Sequence, residues 1–398
     1  MSQLGDRLSH MLLITLIGIA APGKLLAYSG GALTFVLPSI LLSPIAGVLV
    51  DRWDKRTTIS RTHFLQTALL LLTPLTLKLT HSFIPFWVAL AIFFGLDIFN
   101  NTANPALLPS LVPQNSILLA NSVSLAFARI ATVLGMVIGG FLIKWVGWAN
   151  SIFIDACCHF SAAILTLNIT TSHRSTGVLS PAIDNRPGTV PLLINALNKF
   201  FRDLRELVLL VFRNRIVAFV LASIAISTFI SAVSYTILIY LVQQVLNLGT
   251  GGVGLFAGIL AIGMIAGATG MGLMPQNLNR HLVVVGVTFF YGIFFLIGNW
   301  LITVWFMVLV AFVAGAAFSW LGIVQNTMLQ EEVAPTIRGR VFSTREFVTN
   351  GTFLLTTLII GLLGDITSYR TALLVIGISL ITLGIAGLFW IGFKRVKN

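Results

Sequence analysis

The sequence predicts an all-α protein that crosses a membrane many times. Hydrophobic residues make up 57% of the 398 residues and charged residues only 9%, whereas a soluble domain carries about 25% charged residues. The apolar residues occur in long runs, without the alternation that a membrane β-barrel requires. Since a spanning helix takes about 20 residues, the chain is long enough for roughly a dozen spans with short loops.

Twelve apolar runs form two sets of six with a polar stretch between them. The runs lie at about 8–21, 30–50, 63–79, 84–103, 118–142, 150–169, 216–242, 252–274, 282–300, 303–325, 346–364 and 372–393. We therefore expect a six-helix half over residues 1–169, a linker over residues 170–215, and a second six-helix half over residues 216–398. Within the linker, helical spacing of apolar residues over 197–208 predicts an amphipathic helix lying in the membrane interface.

The basic residues predict the orientation of the chain. Nineteen Lys and Arg residues lie in segments on one side, four in loops on the other, and one within a span. Because basic residues accumulate in cytoplasmic loops, both termini and the linker are expected in the cytoplasm, with the protein in the plasma (inner) membrane. This distribution also accounts for the net charge of +12 without a nucleic-acid partner. We expect a monomer in the lipid bilayer.

The loop after the second run contains a glycine followed by charged residues at fixed spacing. These residues are Gly47, Asp51, Arg52, Lys55 and Arg56. Glycine lets helices approach closely, and a carboxylate can accept hydrogen bonds from the start of a facing helix. The segment resembles the signature loop Gly-x-x-x-Asp-Arg-x-Gly-Arg-Arg of the major facilitator superfamily, with Asp54 in place of the second glycine and Lys55 in place of an arginine.

Further stretches resemble one branch of that family, the macrolide and siderophore exporters. They are Ser2 to Asp6, Asn104 to Pro109 with Pro113 and Ala120-Asn121, Ile154 to Ala156, and Arg338 to Val341. The resemblance implies the major facilitator fold, with twelve helices in two pseudo-symmetric halves. In relatives the first of these motifs lies well inside the first helix. Because the clean apolar run before Pro22 is short, we expect roughly ten to fifteen further residues upstream of Met1; the alternative is that residues 2–10 themselves lie in the membrane.

The family resemblance also implies a gate between the signature loop and the eleventh span. Ser343 and Glu346 form a Ser-x-x-Glu capping box, preceded by Arg338 and Arg340. In the family the loop packs against the start of this helix in the outward-facing state, so Asp51 is expected to bind there and to release as the cavity opens inward. The alternative is that the basic residues of the loop only set the orientation.

Three glycines in the fifth run predict close helix packing. Gly135, Gly139 and Gly140 form a Gly-x-x-x-Gly face. The stretch 134–140 resembles the exporter motif Gly-Pro-x-x-Gly-Gly, with Met136 in place of the proline. The face is expected to pack the two halves together, although generic helix packing explains it equally well.

Charged residues within the spans are the strongest candidates for function, because each costs about 2.5–3.5 kcal/mol at the middle of the bilayer. They are Asp6, Asp97, Arg129 and Asp155. A proton-coupled carrier needs a carboxylate that changes protonation as its exposure alternates. Asp6 and Asp97 belong to helices that line the cavity in this family, and Arg129 is placed to pair with either. For Asp155 a structural hydrogen bond is favoured over a functional role.

Uncharged polar residues extend the predicted cavity. Asn100 and Asn101 follow Asp97 within one turn, and Tyr235 lies in the seventh run. Each is a candidate substrate contact, and an interhelical hydrogen bond is the alternative.

The resulting prediction is a carrier that exports an amphiphilic small molecule against protons, with no cofactor. A lipid-like substrate such as a lysophospholipid, and a non-transporting membrane protein, are the alternatives. A membrane enzyme is not expected, because the six histidines, His10, His63, His81, His159, His173 and His281, lie in distant segments without metal-ligand spacing. A phosphate-binding Gly-x-x-x-x-Gly-Lys motif is also absent from the sequence.

Overall fold

The computed structural model describes residues 2–80, 84–113, 116–169, 202, 215–274, 279–332 and 335–396. Across these ranges the chain forms long helices, which confirms the predicted all-α class with twelve helices. In chain order they are α1 (Ser2–Ala20), α2 (Leu25–Arg52), α3 (Lys55–Thr80), α4 (Ile84–Leu107), α5 (117–146), α6 (148–167), α7 (Arg215–Val233), α8 (Gly249–Gly272), α9 (Arg280–Trp300), α10 (Val304–Glu332), α11 (Pro335–Ile366) and α12 (Tyr369–Val396). The predicted interfacial helix of the linker lies outside the described residues.

Helices α5 and α6 belong to one helical run, Ile117–Leu167, that is broken at Gly147. This residue has φ 81° and ψ 159°, a backbone conformation that only glycine adopts at low cost. The break separates the fifth and sixth apolar runs, as the sequence predicts. Two further departures from α-helical geometry follow α7, where Ser234–Leu238 and Leu241–Val245 form π-helical turns.

Nine stretches of the described residues are long and apolar enough to cross a membrane. The stretch Ile130–Leu167 counts once, although it contains parts of both α5 and α6. Helices α1 and α3 are not among the nine, because α1 carries Asp6 and Arg7 and α3 carries several basic residues and a histidine. Both helices bury polar side chains, Ser9 on α1 and His63 and Gln66 on α3.

The described contacts divide the chain into two compact units. The first contains Met1–Leu13 and Leu33–Arg205, and the second contains Ile14–Ala32 and Glu206–Asn398. The end of α1 and the start of α2 thus pack with the later helices.

Within the second unit, helices pack backbone against backbone at glycines. A Cβ atom at Gly263 of α8 would lie 2.0 Å from the carbonyl oxygen of Phe312 on α10, and one at Gly315 of α10 would lie 2.1 Å from that of Leu260. The indole of Trp320 donates a 2.7 Å hydrogen bond to the carbonyl of Gly267 across the same contact. Helices α8 and α10 therefore lie closer together than any side chain larger than hydrogen permits at these positions.

Candidate functional site

A buried polar cluster lies in the first unit where α1 meets α6. The Nε2 atom of His159 lies 3.7 Å from Oδ1 of Asp6 and 3.5 Å from Oδ1 of Asp155, which is one turn away on α6. Ser9 of α1 donates a hydrogen bond to the other Asp155 oxygen, so the structural bond expected for Asp155 is present. The side chains of His159 and Asp155 are fully buried and that of Asp6 is 13% exposed. Two carboxylates thus share one imidazole inside the protein.

Helices α3 and α4 extend this cluster. Nδ1 of His159 lies 3.3 Å from Nδ1 of His63, which in turn lies 2.8 Å from Oε1 of Gln66. Asn100 of α4 donates a 3.3 Å hydrogen bond to Oε1 of Gln66, and its own oxygen accepts a hydrogen bond from Thr62. Asn100, predicted from the sequence as a cavity residue, is therefore buried among α3 side chains.

The sequence analysis missed both histidines as site residues. Ninety-six positions separate His63 from His159, and no local spacing relates them. The available signal was energetic, because a histidine in an otherwise apolar span is costly unless its ring nitrogens find partners.

The second predicted carboxylate, Asp97, lies near Asp6. Asn101, one turn further along α4, donates a 2.9 Å hydrogen bond to Oδ2 of Asp97. Arg7 is within electrostatic range of both Asp6 and Asp97, and the two carboxylates are within range of each other. The two carboxylates that the sequence predicts for proton coupling therefore interact electrostatically with each other and with one cation.

The glycine face of α5 packs against α1. A Cβ atom at Gly135 would lie 2.8 Å from Cβ of Arg7, and one at Gly139 would lie 3.4 Å from Cδ1 of Leu8; Gly140 is also buried. The glycines do permit close packing, but against α1 of the same half and not between the two halves as predicted. This packing fixes the part of α1 that carries Asp6.

The signature loop makes contacts inside the first unit. Asp54 caps α3, since its Oδ1 accepts a 2.7 Å hydrogen bond from the backbone N–H of Thr57. Hydrogen bonds from Thr57 hold the pKa of Asp54 below its usual value. Lys55 donates to the backbone carbonyl of Asp51, whose side chain is exposed, and Arg56 donates to the carbonyl of Leu167 at the end of α6. A cation at a helix C-terminus is favourable.

Two expectations for the gate differ from the structure. A Cβ atom at Gly47 would meet none of the described atoms within 4 Å, so the expected close approach at this glycine is not seen. Helix α11 begins at Pro335, a residue favoured in the first turn. Ser343 and Glu346 therefore lie within the helix, and the prediction that they cap its start is wrong. The side chains of Arg129, Arg338, Arg340, Ser343 and Glu346 lie outside the described residues; Arg52 is exposed.

Polar residues of the second unit form two groups. In the π-helical turn after α7, the ring of Tyr235 lies 5.7 Å from that of Phe353 on α11. On α7 itself, Ser227 accepts a 3.3 Å hydrogen bond from Gln325 of α10. Arg345 donates to Asn326 at 2.5 Å.

The other group joins the end of α1 and the start of α2 to the π-helical turn Leu241–Val245. The hydroxyl of Tyr28 donates a 2.7 Å hydrogen bond to Gln243 and accepts one of 3.2 Å from Gln244. Gln243 also donates to Thr250, which lies 2.7 Å from Thr15. The sequence analysis did not identify these residues, although two adjacent glutamines in an apolar run are an available signal.

No group of three His, Cys, Asp or Glu side chains among the described residues has the arrangement of a metal site. The cluster around His159 consists of hydrogen-bonding and titratable groups.

Comparison with known proteins identifies a family and several relatives. The family model of the Major Facilitator Superfamily matches residues 7–281 and, in a second overlapping match, residues 224–398. Over 110 residues the chain is 31% identical to an uncharacterized MFS-type transporter of Mycobacterium tuberculosis, which covers 28% of this chain and 25% of the relative. Over 164 residues it is 27% identical to an uncharacterized MFS-type transporter of Bacillus subtilis, covering 41% and 38%. The chain thus matches less than half the length of these curated relatives.

Solved structures resemble the whole chain. A bacterial homologue of the human lysosomal transporter Spinster has a TM-score of 0.71 at 11% identity, covering 100% of this chain and 95% of that one. A bacterial homologue of the iron transporter ferroportin has a TM-score of 0.70 at 14% identity, covering 98% and 95%. The nucleoside transporter NupG has a TM-score of 0.66 at 16% identity, covering 97% and 96%. At these identities the likeness shows the fold alone.

Proposed function

Because this chain belongs to the major facilitator superfamily, we propose that it is a secondary transporter that exports an amphiphilic small molecule in exchange for protons by alternating access. The predicted major facilitator fold is confirmed by the helices and the structural relatives. In proteins of this architecture the substrate site lies between two halves that rock about it.

One observation supports proton coupling above the others: Asp6 and Asp97 are close enough to interact electrostatically, and Arg7 interacts with both. Acidic side chains in spanning helices are costly and are characteristic of proton pathways. Two nearby carboxylates and a cation can hold one more or one fewer proton as their exposure changes, which is the property that coupling requires.

The substrate class rests on composition. Structural relatives include transporters named for nucleosides and for iron, so the fold does not select a substrate. The abundance of apolar residues, 57% of the chain, favours a substrate with apolar parts over a sugar or a small anion. Asn101 and Tyr235 are the proposed polar contacts.

For the gate we propose Asp51 with Arg52, Lys55 and Arg56, on the side where both termini lie in the cytoplasm. Asp51→Ala is expected to slow the exchange between the two facing states. Labelling of single introduced cysteines at the mouth of the cavity measures this rate, and an unchanged rate contradicts a gating role.

The function is tested in proteoliposomes with an imposed pH gradient. The probes are a siderophore, a macrolide, a fluorescent cationic dye and a lysophospholipid, each with wild type, Asp97→Asn and the exposed control Glu331→Gln. We expect gradient-driven transport of at least one of the first three probes. The transport rate should fall at least tenfold (~1.4 kcal/mol) in Asp97→Asn and stay unchanged in the control. Transport by Asp97→Asn at the wild-type rate at neutral and acid pH overturns the role of Asp97. Transport of the lysophospholipid alone, or of none of the probes, overturns the proposed export.

A further inference from the structure

Three polar atoms of the first unit point at one another without a hydrogen bond. They are Oδ1 of Asp6, Oδ1 of Asp155 and Nε2 of His159, and all three are buried with no hydrogen-bond partner among the described residues. The imidazole nitrogen lies 3.7 Å and 3.5 Å from the two oxygens. Buried polar atoms are nearly always paired, so three that converge mark the position of something that they bind.

The backbone of α1 closes over this point. A Cβ atom at Gly5 would lie 2.6 Å from Nε2 of His159 and 2.8 Å from Oδ1 of Asp155. Only glycine lets the helix approach so closely without filling the space. With the two oxygens 3.7 Å and 3.5 Å from Nε2 of His159, the space between the three atoms holds a proton or at most a single water molecule.

The surrounding groups favour a proton. Metal ligands of these types lie about 2.0–2.2 Å from a zinc ion, and the described residues contain no metal-like group. Two ionised carboxylates beside one neutral imidazole repel each other at low dielectric, and a proton held among them removes that repulsion. The titratable or charged groups that face the cluster are Arg7 on α1, His63 on α3, Asp97 on α4 and Cys158 on α6.

We infer that Asp6, Asp155 and His159 form a buried proton-binding site, which shares Asp6 with the Asp6–Asp97 pair, and that His63 relays protons to it. His63 gives a proton to Nδ1 of His159, 3.3 Å away, and the Nε2–H of His159 passes to a carboxylate oxygen. With His63 protonated on both ring nitrogens, its Nδ1–H bond and the Nε2–H bond of His159 break. One N–H bond at Nδ1 of His159 and one O–H bond on the carboxylate form, so charge and atoms balance. Proton binding stands by itself; its part in transport rests on the proposed function.

The hydrogen-bond partners of His63 suit a relay. Nδ1 of His63 lies 2.8 Å from Oε1 of Gln66, and that oxygen is held in turn by Asn100. This arrangement fixes the ring so that the same nitrogen faces His159. Phe93 packs edge-on against His159 with ring centroids 5.0 Å apart and keeps that ring in place.

The test uses the full chain in lipid nanodiscs and no substrate. Infrared difference spectroscopy during a pH titration follows the C=O stretch of protonated carboxyl groups. We expect a pH-dependent band that is lost or strongly reduced in Asp155→Asn and shifted in frequency in His159→Gln. Ser9→Ala, which removes only the hydroxyl donor to Asp155, is expected to shift the band while leaving the fold intact. His10→Gln is the matched control, because His10 is the histidine of α1 and packs against Phe35 and Phe94.

The possible results separate cleanly. A band that does not respond to pH, that responds equally in wild type, Ser9→Ala and His159→Gln, or that follows sodium concentration overturns the inference. If His63 relays protons, His63→Gln keeps the titration of the band but slows proton exchange. A wild-type rate of proton exchange in this variant overturns the relay. If the band behaves as expected and no probe is transported, the proton site stands and the proposed function falls. If pH-driven transport occurs without the band, the inference falls alone.

Discussion

Replacing Gly263 by alanine tests the backbone contact between α8 and α10. The new Cβ atom would lie 2.0 Å from the carbonyl oxygen of Phe312, and an ordinary contact needs about 3.4 Å. The helices must therefore separate by about 1.4 Å locally, since the obstacle is backbone and cannot rotate away. A radial gap of about 0.5–1 Å already forfeits a quarter to a half of each contact energy. We expect the free energy of unfolding to fall by about 3 kcal/mol, the upper end of the range for overpacked cores.

Gly270→Ala is the matched control, because it lies on the same helix and a Cβ atom there meets none of the described atoms within 4 Å. Alanine is favoured over glycine in a helix by about 1 kcal/mol, so this variant should be equal to or more stable than wild type. Both are compared by thermal unfolding of the purified protein in detergent. Equal melting of the two variants would refute the backbone contact described for α8 and α10.

Three further substitutions follow from single contacts. Asp54→Ala removes the cap of α3 and should lower the free energy of unfolding by about 0.5–2 kcal/mol. Because folding lowers the pKa of Asp54, the stabilisation by its carboxylate is present above the pKa of the unfolded chain. It is lost as the pH falls through the pKa of the folded protein. Tyr28→Phe leaves Gln243 and its neighbour without their shared hydroxyl and should cost about 1–3 kcal/mol, whereas Tyr369→Phe should cost much less. Gly5→Ala should abolish the pH-dependent infrared band, since its Cβ atom would meet His159 Nε2 at 2.6 Å; an unaltered band would contradict the geometry given for the cluster.

Much of the fold is predictable because the free energy of insertion into lipid is local. Each span needs an apolar run, so the runs give the number of helices and the break at Gly147. The start of α1 is not predictable in this way, because Asp6, Arg7 and His10 interrupt its apolar pattern; in the fold it packs against Gly135 and Gly139 of α5. The start of α11 at Pro335 is likewise hidden, since a capping box within a helix looks the same in sequence as one at its end.

The candidate site is only half predictable. Asp6 and Asp97 attract notice because a carboxylate in an apolar run is costly wherever it lies. His63 and His159 do not, since their proximity depends on how α3 and α6 pack. The same holds for Gly5, which is an ordinary helix residue in the sequence and becomes significant only because α1 lies against His159.

One helix contact of the second unit leaves no room for ionisable side chains, whereas one contact of the first unit is built from them. Between α8 and α10 the backbones touch at Gly263 and Gly315, which leaves no room there for an ionisable side chain. Between α1, α3 and α6 the contacts are made by Asp6, His63 and His159. A set of apolar side chains of the same volume would fill that space at equal or lower free energy, so stability does not explain these residues. The proposed proton coupling offers a reason for them, and it places that proposed function in the first unit.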